Sequence, residues 1–131
     1  MHGVVDTSIV IEIFDRGDDI LLENIMNRYS MLYIPWIVVY EYLYGHKYLG
    51  RDIDHRREAI EKLGRVIGIS QEILVKALEI DVELHRKGQT IPFTDILIAA
   101  TTLVLNAELI TADQRYYTRI QDLENICTTN S

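Results

Sequence analysis

Short apolar segments alternate along the chain with longer segments in which apolar residues recur at helical spacing. The short segments that predict strands are residues 4–5, 31–35, 66–69, 109–110 and 124–127. Strands that alternate with helices are typical of βαβ units, whose parallel strands form a sheet covered by helices on both faces. The pattern therefore predicts an α/β protein with a central, mainly parallel sheet. It leaves the order of the strands open.

Capping residues and glycines bound the predicted helices. The expected N-caps are Thr7 or Ser8, Asp18, Ser70 and Thr94. Glycine follows three of the helical segments, at positions where a left-handed residue commonly ends a helix: Gly17, Gly50 and Gly88. The segment 95–106 is nearly all apolar, so we expect that helix to be buried.

Length and charge restrict the class of protein. The 131 residues predict a single domain, 1–131, in which residues 128–131 form a loose tail. The 13 Lys and Arg residues against 20 Asp and Glu residues give a net charge of −7. This excludes a basic nucleic-acid coat, so any contact with nucleic acid must be local or must depend on a cation.

Cysteine usage and hydropathy favour a cytoplasmic protein without a membrane partner. Cys127 is the only cysteine, which excludes an intramolecular disulfide and is compatible with a reducing compartment. The first residues lack the basic and apolar regions of a signal peptide. The longest uncharged run, residues 31–40, is far shorter than the roughly 20 residues that span a bilayer.

Four acidic residues occupy positions that point to chemistry. Asp6 and Asp113 follow predicted strands, Asp95 opens the apolar helix, and Glu41 lies inside another largely apolar helix. In open α/β sheets, ligands bind at the carboxyl ends of the strands. Converging carboxylates repel one another unless a cation joins them, and oxygen ligands select Mg²⁺ or Mn²⁺ over zinc. We therefore expect a site for one or two such ions.

Each acid alone also has an ordinary explanation. Asp6 could end a strand, Asp113 could belong to a turn, Glu41 could pair with a neighbouring helix, and Asp95 could face a helix N-terminus. Other catalytic patterns are missing from the sequence, which contains neither a Gly-x-Gly-x-x-Gly nor a Gly-Lys-[Ser/Thr] phosphate loop. The four acids together are therefore the strongest functional signal in the chain.

The ordered motifs resemble the signature of PIN domains, and more narrowly that of VapC-like toxins of prokaryotic toxin–antitoxin pairs. They are Asp6-Thr7-Ser8, Glu41 with Gly45, Thr94-Asp95-Ile96-Leu97-Ile98-Ala99-Ala100 and Thr111-Ala112-Asp113. The resemblance implies a three-layer α/β/α fold and a metal-dependent endoribonuclease. It also implies an antitoxin partner and a homodimer.

The same resemblance assigns roles to individual residues. Asp6, Glu41, Asp95 and Asp113 take the places of the family's catalytic, metal-binding acids. Three hydroxyl residues would position them: Thr7, Ser8 and Thr111. RNA is the implied substrate, and the arginines near Asp113 in sequence, Arg115 and Arg119, are candidates for contacting it.

The sequence supports three further interpretations. The stripe Tyr40, Tyr44 and Tyr48 favours packing in the core or at an interface over stacking on bases, and Trp36 favours packing. The first helices predict an apolar groove for an antitoxin segment, lined by Ile9, Ile13, Leu21, Leu22, Ile25 and Met26. The alternatives to a ribonuclease are a catalytically silent interaction module of the same fold and, less favoured, a small-molecule phosphatase.

Overall fold

The computed structural model describes residues 1–127, so the tail predicted at 128–131 lies outside the described residues. Its core is a sheet with the strands β1 (His2–Val5), β2 (Met31–Pro35), β3 (Arg65–Ile67), β4 (Glu108–Thr111) and β5 (Asn125–Cys127). The strand order is β3-β2-β1-β4-β5, and every pairing is parallel. The predicted parallel α/β sheet is confirmed. The third strand is shorter than predicted, because it ends before Gly68.

Helices connect the strands and cover the sheet. They are α1 (Thr7–Val10), which continues into a π-helical turn (Ile11–Asp15), α2 (Asp19–Arg28), α3 (Trp36–Tyr48), α4 (Asp54–Leu63), α5 (Gln71–Arg86) and α6 (Phe93–Val104). A 3₁₀ turn (Tyr117–Arg119) precedes β5. The chain steps outward from β1 to β3 and then returns to β4, so right-handed crossovers put α1–α4 on one face and α5–α6 on the other. The result is the expected α/β/α sandwich.

Two predicted N-caps are confirmed and two are wrong. Asp18 and Ser70 cap α2 and α5 through their side chains. The first helix is capped by Asp6, because its carboxylate, and not the hydroxyl of Thr7 or Ser8, accepts from the backbone of the helix. Thr94 lies inside α6, whose first turn is closed by the carbonyl of Pro92.

Most of the residues predicted to line an antitoxin groove belong to the core instead. Ile9, Ile13, Leu21 and Ile25 are buried, whereas Met26 is exposed. The sheet face and the packing of α1 against α3 cover more of this apolar surface than the sequence pattern indicated. The buried helix α6 is confirmed, with every residue from 96 to 102 in the core. Among residues 1–127, no helix is long and apolar enough to cross a bilayer.

Candidate functional site

The four acids predicted from the sequence line one cleft. The cleft has a volume of about 190 Å³ and lies at the carboxyl edge of the sheet. Asp6 follows β1, Glu41 lies in the middle of α3, Asp95 is in the first turn of α6, and Asp113 follows β4. The fold thus brings together side chains that lie up to 107 positions apart in the sequence.

Asp6 is the most firmly held of these acids. It is 5% exposed, and two hydroxyls donate to it at 2.5 Å, Ser8 Oγ to Oδ1 and Thr111 Oγ1 to Oδ2. Each hydroxyl in turn accepts a backbone N–H from the segment after β4, at 2.9 Å from Ala112 and 2.9 Å from Asp113. This segment and β1 are therefore fixed to each other through the carboxylate.

Thr7 performs a similar task for the second acid. Its hydroxyl donates to Oε1 of Glu41 at 2.6 Å and links the start of α1 to the middle of α3. Among the described residues, Glu41 forms no ion pair. A salt bridge to a neighbouring helix therefore does not explain this acid in the described part of the chain. Its charge faces the other acids of the cleft instead.

Tyr117 also belongs to the site, although nothing in the sequence around it points to this role. It is 3% exposed, and its hydroxyl lies 3.3 Å from Oδ2 of Asp6 and 3.3 Å from Oδ1 of Asp95. One aromatic residue in a short segment after Asp113 carries no distinctive pattern. Only the 3₁₀ turn, which aims the ring back under the cleft, makes it part of the site.

The electrostatics of the cleft show that its charges are close and poorly solvated. Burial, followed by the charge of Asp6, raises the pKa of Asp95 to about 6, and Glu41 and Asp113 add smaller repulsions. Burial also raises the pKa of Asp6, although the hydroxyl donors of Ser8 and Thr111 oppose this shift. The pKa of Tyr117 is raised by burial and by the two carboxylates beside it, so its phenol stays protonated.

The donor set suits a hard divalent cation. Every acidic group that lines the cleft offers carboxylate oxygens, and the neighbouring hydroxyls add only oxygen. Within residues 1–127, however, no three His, Cys, Asp or Glu side chains already lie in a ligating arrangement. The carboxylates would therefore have to draw together around an ion.

The two arginines predicted to contact RNA differ in their position and in their hydrogen bonds. Arg115 lines the cleft, where it lies 3.6 Å from Asp113 and over the ring of Tyr116. Arg119 donates to the carbonyls of Gln89 and Thr90 and does not line the cleft. Arg115 is thus the better placed of the two for a phosphate entering the cleft.

The aromatic stripe on α3 does not lie in the core. Tyr40, Tyr44 and Tyr48 are 52%, 59% and 80% exposed, and Trp36, predicted as a packing residue, is 50% exposed. The four rings stack in sequence, with centroids 5.6, 6.1 and 6.3 Å apart. Core packing is therefore the wrong interpretation for this stripe, because the helix turns its opposite face, with Val38 and Tyr42, inward. Packing at an interface and stacking on bases stay open.

The fold and the cleft define an α/β/α protein with an acidic, oxygen-lined site at the carboxyl edge of a parallel sheet. The sequence model of the PIN domain matches residues 3–122. The chain belongs to the PIN-domain family.

Individual relatives are also similar to it. A VapC ribonuclease of Pyrococcus furiosus is 27% identical over 112 residues, which cover 86% of this chain and 74% of that protein. The structure of VapBC2 from Rickettsia felis bound to a promoter DNA fragment matches with a TM-score of 0.85 and 22% identity, over 98% of this chain and 100% of that one. VapBC-1 from nontypeable Haemophilus influenzae matches with a TM-score of 0.84 and 23% identity, over 97% and 98%. The resemblance to PIN domains and VapC-like toxins is confirmed.

Proposed function

We propose that this PIN-domain protein is a metal-dependent endoribonuclease, the toxin of a VapBC-type pair. The observation that carries the proposal is the convergence of four carboxylates from separate elements on one cleft. A protein that served only as a scaffold would gain nothing from keeping mutually repelling charges there, where one of them has its pKa raised to about 6. The similarity to a VapC ribonuclease supports the same activity.

Asp6, Glu41, Asp95 and Asp113 would hold one or two Mg²⁺ or Mn²⁺ ions. When bound, such an ion offsets the charge of a phosphodiester and makes water a stronger nucleophile near neutral pH. The hydroxyls of Ser8 and Thr111 keep Asp6 in place, so this acid does not have to be ordered during the reaction. Asp113 is the most exposed of the four acids and borders the entrance of the cleft.

Substrate binding would depend on local positive charge, since the protein as a whole repels RNA. Arg115 is the candidate for a phosphate contact because it lines the cleft beside Asp113. Replacing Arg115 with Ala should raise KM for RNA more than it lowers kcat. The matched change Arg119→Ala should have a smaller effect on KM, because Arg119 is engaged with backbone carbonyls. Equal effects of the two changes on KM would contradict this assignment.

Cleavage of RNA by the purified protein tests the proposed activity. We expect cleavage with Mg²⁺ or Mn²⁺ and none with excess chelator. Asp95→Asn should lower kcat on the order of a hundredfold or more, by analogy with the loss of an electrostatic contact to the transition state. The exposed Glu58, changed to Gln, is the control. Cleavage that survives the chelator would refute the metal mechanism.

The same experiment separates the alternative functions. A protein that binds Mn²⁺ and a partner but cuts no RNA under any condition would be a silent interaction module. A protein that releases phosphate from small esters and leaves RNA intact would be a phosphatase. We favour the ribonuclease over both because all four acids remain and line one cleft.

An antitoxin would be the protein partner, and we propose that both act in the cytoplasm, where the RNA substrate is. Structural neighbours of this chain include toxin–antitoxin complexes. The negative cleft suits a basic side chain of such a partner, which would compete with a cation for the carboxylates. Co-expression with the product of an adjacent small open reading frame should yield a complex with lower ribonuclease activity. An unchanged activity in an isolated complex would contradict the inhibitory contact.

A homodimer is also proposed, and the outer face of α5 supports it. This face carries four exposed apolar side chains at helical spacing: Leu74, Val75, Leu78 and Val82. An apolar stripe of this kind is costly in a monomer exposed to water. Leu78→Glu should shift the protein to a monomer in analytical ultracentrifugation, whereas the exposed control Glu58→Gln should not. A monomeric wild type would refute the dimer.

A further inference from the structure

The hydroxyl of Tyr117 lies between two carboxylates of the cleft. Its oxygen is 3.3 Å from Oδ2 of Asp6 and 3.3 Å from Oδ1 of Asp95. Both distances exceed the roughly 2.5–3.0 Å that is usual for O–H···O hydrogen bonds. A phenol carries one hydrogen, so it can donate fully to only one acceptor at a time. The two carboxylates therefore share a single weak donor.

Asp6 cannot accept a cation while it keeps all of its present donors. A carboxylate offers about four lone-pair sites, and among the described residues four donors already point at Asp6. Ser8 and the backbone N–H of Ile9 donate to Oδ1, at 2.5 and 3.3 Å, while Thr111 and Tyr117 donate to Oδ2, at 2.5 and 3.3 Å.

These four donors differ in what their release would cost. The bonds from Ser8 and Thr111 are short, and both hydroxyls also accept from the segment after β4. Thr111 has a second acceptor, the carbonyl oxygen of Asp113 at 3.0 Å, but turning to it would break the shorter bond to Asp6. The N–H of Ile9 is fixed in the first turn of α1, where it also donates to the backbone carbonyl of Asp6 at 3.2 Å, so it cannot turn away from the carboxylate while the helix keeps this turn. Tyr117 makes a long bond and has a second acceptor in Asp95 to which its hydrogen can turn. It is the donor that Asp6 can lose at the lowest cost.

We propose that Tyr117 is a positioning residue whose hydroxyl stands in for a divalent cation in the metal-free site and releases Asp6 when a cation binds. This inference rests on the metal site of the proposed function. In the metal-free protein, the shared hydrogen offsets part of the repulsion between Asp6 and Asp95. In the metal-loaded protein, the hydrogen turns to Asp95 alone, while the buried ring keeps its place.

An interaction that exists only in the metal-free state weakens metal binding by its own free energy. Removing the hydroxyl should therefore tighten binding, although it also removes a contact from the site. The bond to Asp6 is long and its hydrogen keeps Asp95 as an acceptor, so its loss is worth less than a full net hydrogen bond of about 1 kcal/mol. We expect Tyr117→Phe to bind Mn²⁺ about two- to fivefold more tightly, which corresponds to about 0.4–1 kcal/mol. If Tyr117 only held the metal ligands in place, its replacement would weaken Mn²⁺ binding instead.

The test is a calorimetric titration of the full chain, stripped of metal, with Mn²⁺ alone. Tyr117→Phe is compared with the wild type and with Tyr116→Phe, a matched loss of a hydroxyl from the adjacent residue, which also lines the cleft. Tighter binding in Tyr117→Phe, with unchanged binding in Tyr116→Phe, supports the proposal. Equal or weaker binding in Tyr117→Phe overturns it.

A second measurement uses the wild type and so does not depend on the folding of a variant. Release of Asp6 changes the hydrogen bonding of the Tyr117 phenol, so Mn²⁺ should alter the near-ultraviolet absorption of tyrosine in the wild type. Tyr116→Phe should keep this change, and Tyr117→Phe should lose it. A wild-type spectrum that stays constant while the calorimeter records binding overturns the proposal.

The outcomes also separate this inference from the proposed function. A wild type that binds Mn²⁺ and cuts RNA, while Tyr117→Phe binds with the same affinity, would refute the role of Tyr117 alone. A wild type that neither binds Mn²⁺ nor needs it for cleavage would refute the metal site and, with it, this inference. Tighter binding by Tyr117→Phe in a protein that cuts no RNA would support the inference and refute the ribonuclease.

Discussion

Neutralising Asp95 should stabilise the metal-free protein, by an amount that depends on pH. Burial and the charge of Asp6 raise the pKa of this carboxyl from 3.8 to about 6 in the folded state. The folded state therefore favours the protonated form, and the stability that this proton contributes is complete below about pH 3.8 and is lost as the pH rises through about 6. Above that range the wild type carries an unfavourable charge, which Asp95→Asn lacks.

The size of the effect follows from the same shift. One pKa unit corresponds to about 1.36 kcal/mol, so the rise from 3.8 to about 6 sets an upper limit of about 3 kcal/mol on the gain in the free energy of unfolding. Asp95 is only half-buried, and solvent screens its charge, so we expect a gain of about 1–2 kcal/mol at pH 8. At pH 5 the gain should be about half as large, because the folded wild type is then mostly protonated at this position.

Thermal and urea denaturation in the presence of chelator would measure both values. For a chain of this size, the gain at pH 8 corresponds to a rise in Tm of roughly 3–8 °C. The side-chain amide of Asn can still accept from Tyr117, so the change removes a charge with little loss of shape. Glu58→Gln, at an exposed position, controls for the general loss of one negative charge. An Asp95→Asn protein that is no more stable than the wild type at pH 8, or whose advantage is the same at pH 5, would refute the reasoning.

Three other predictions follow from the same contacts. Asp6→Asn should destabilise the protein by about 1–2 kcal/mol in urea denaturation, because an amide cannot accept all of the donors that now point at the carboxylate; a gain in stability would contradict this. Mn²⁺ at a hundred times its Kd should stabilise the wild type by about 2.7 kcal/mol, and Asp6→Asn should lose most of this stabilisation. If Asp6→Asn is stabilised as much as the wild type, Asp6 is not a metal ligand. Gly64→Ala should lower the free energy of unfolding by about 1–3 kcal/mol, since its Cβ would lie 2.6 Å from the carbonyl oxygen of Leu32. Gly45→Ala in α3 has open space around its Cβ and should raise the free energy of unfolding by about 0.5–1 kcal/mol. Urea denaturation that gives the opposite order would refute both.

The sequence by itself determined the kinds and positions of most elements. Apolar patterns with the period of a strand or of a helix are local, so β2 has the bounds that the sequence predicts. The glycines that follow the helices take the expected left-handed conformation. The choice of acids was also a local inference, because a charge inside an apolar segment, as at Glu41, is unusual without a partner. The PIN-domain signature depends on such residues in order along the chain, and its match to residues 3–122 confirms the resemblance.

Long-range packing decided what local patterns could not. The caps of α1 and α6 differ from the predicted ones, because the carboxylate of Asp6 caps α1 in place of a hydroxyl, and the carbonyl of Pro92 closes the first turn of α6. The aromatic stripe is exposed because α3 buries its other face, and the spacing of the tyrosines does not show which face is buried. The groove predicted on the first helices is largely core, because burial depends on what packs against them.

The candidate site likewise depends partly on the sequence and partly on the fold. The sequence supplied the four acids and the three hydroxyls as candidates, but it could not say which hydroxyl holds which acid. The parallel sheet decides this, since it places the residue after β1 beside the last residue of β4, 105 positions away, so that Thr111 meets Asp6. Tyr117 is the clearest case: nothing in its sequence neighbourhood distinguishes it, and only the fold brings its hydroxyl between Asp6 and Asp95. Residue types that can perform the chemistry are a property of the sequence, whereas distances between them exist only after the strands have paired.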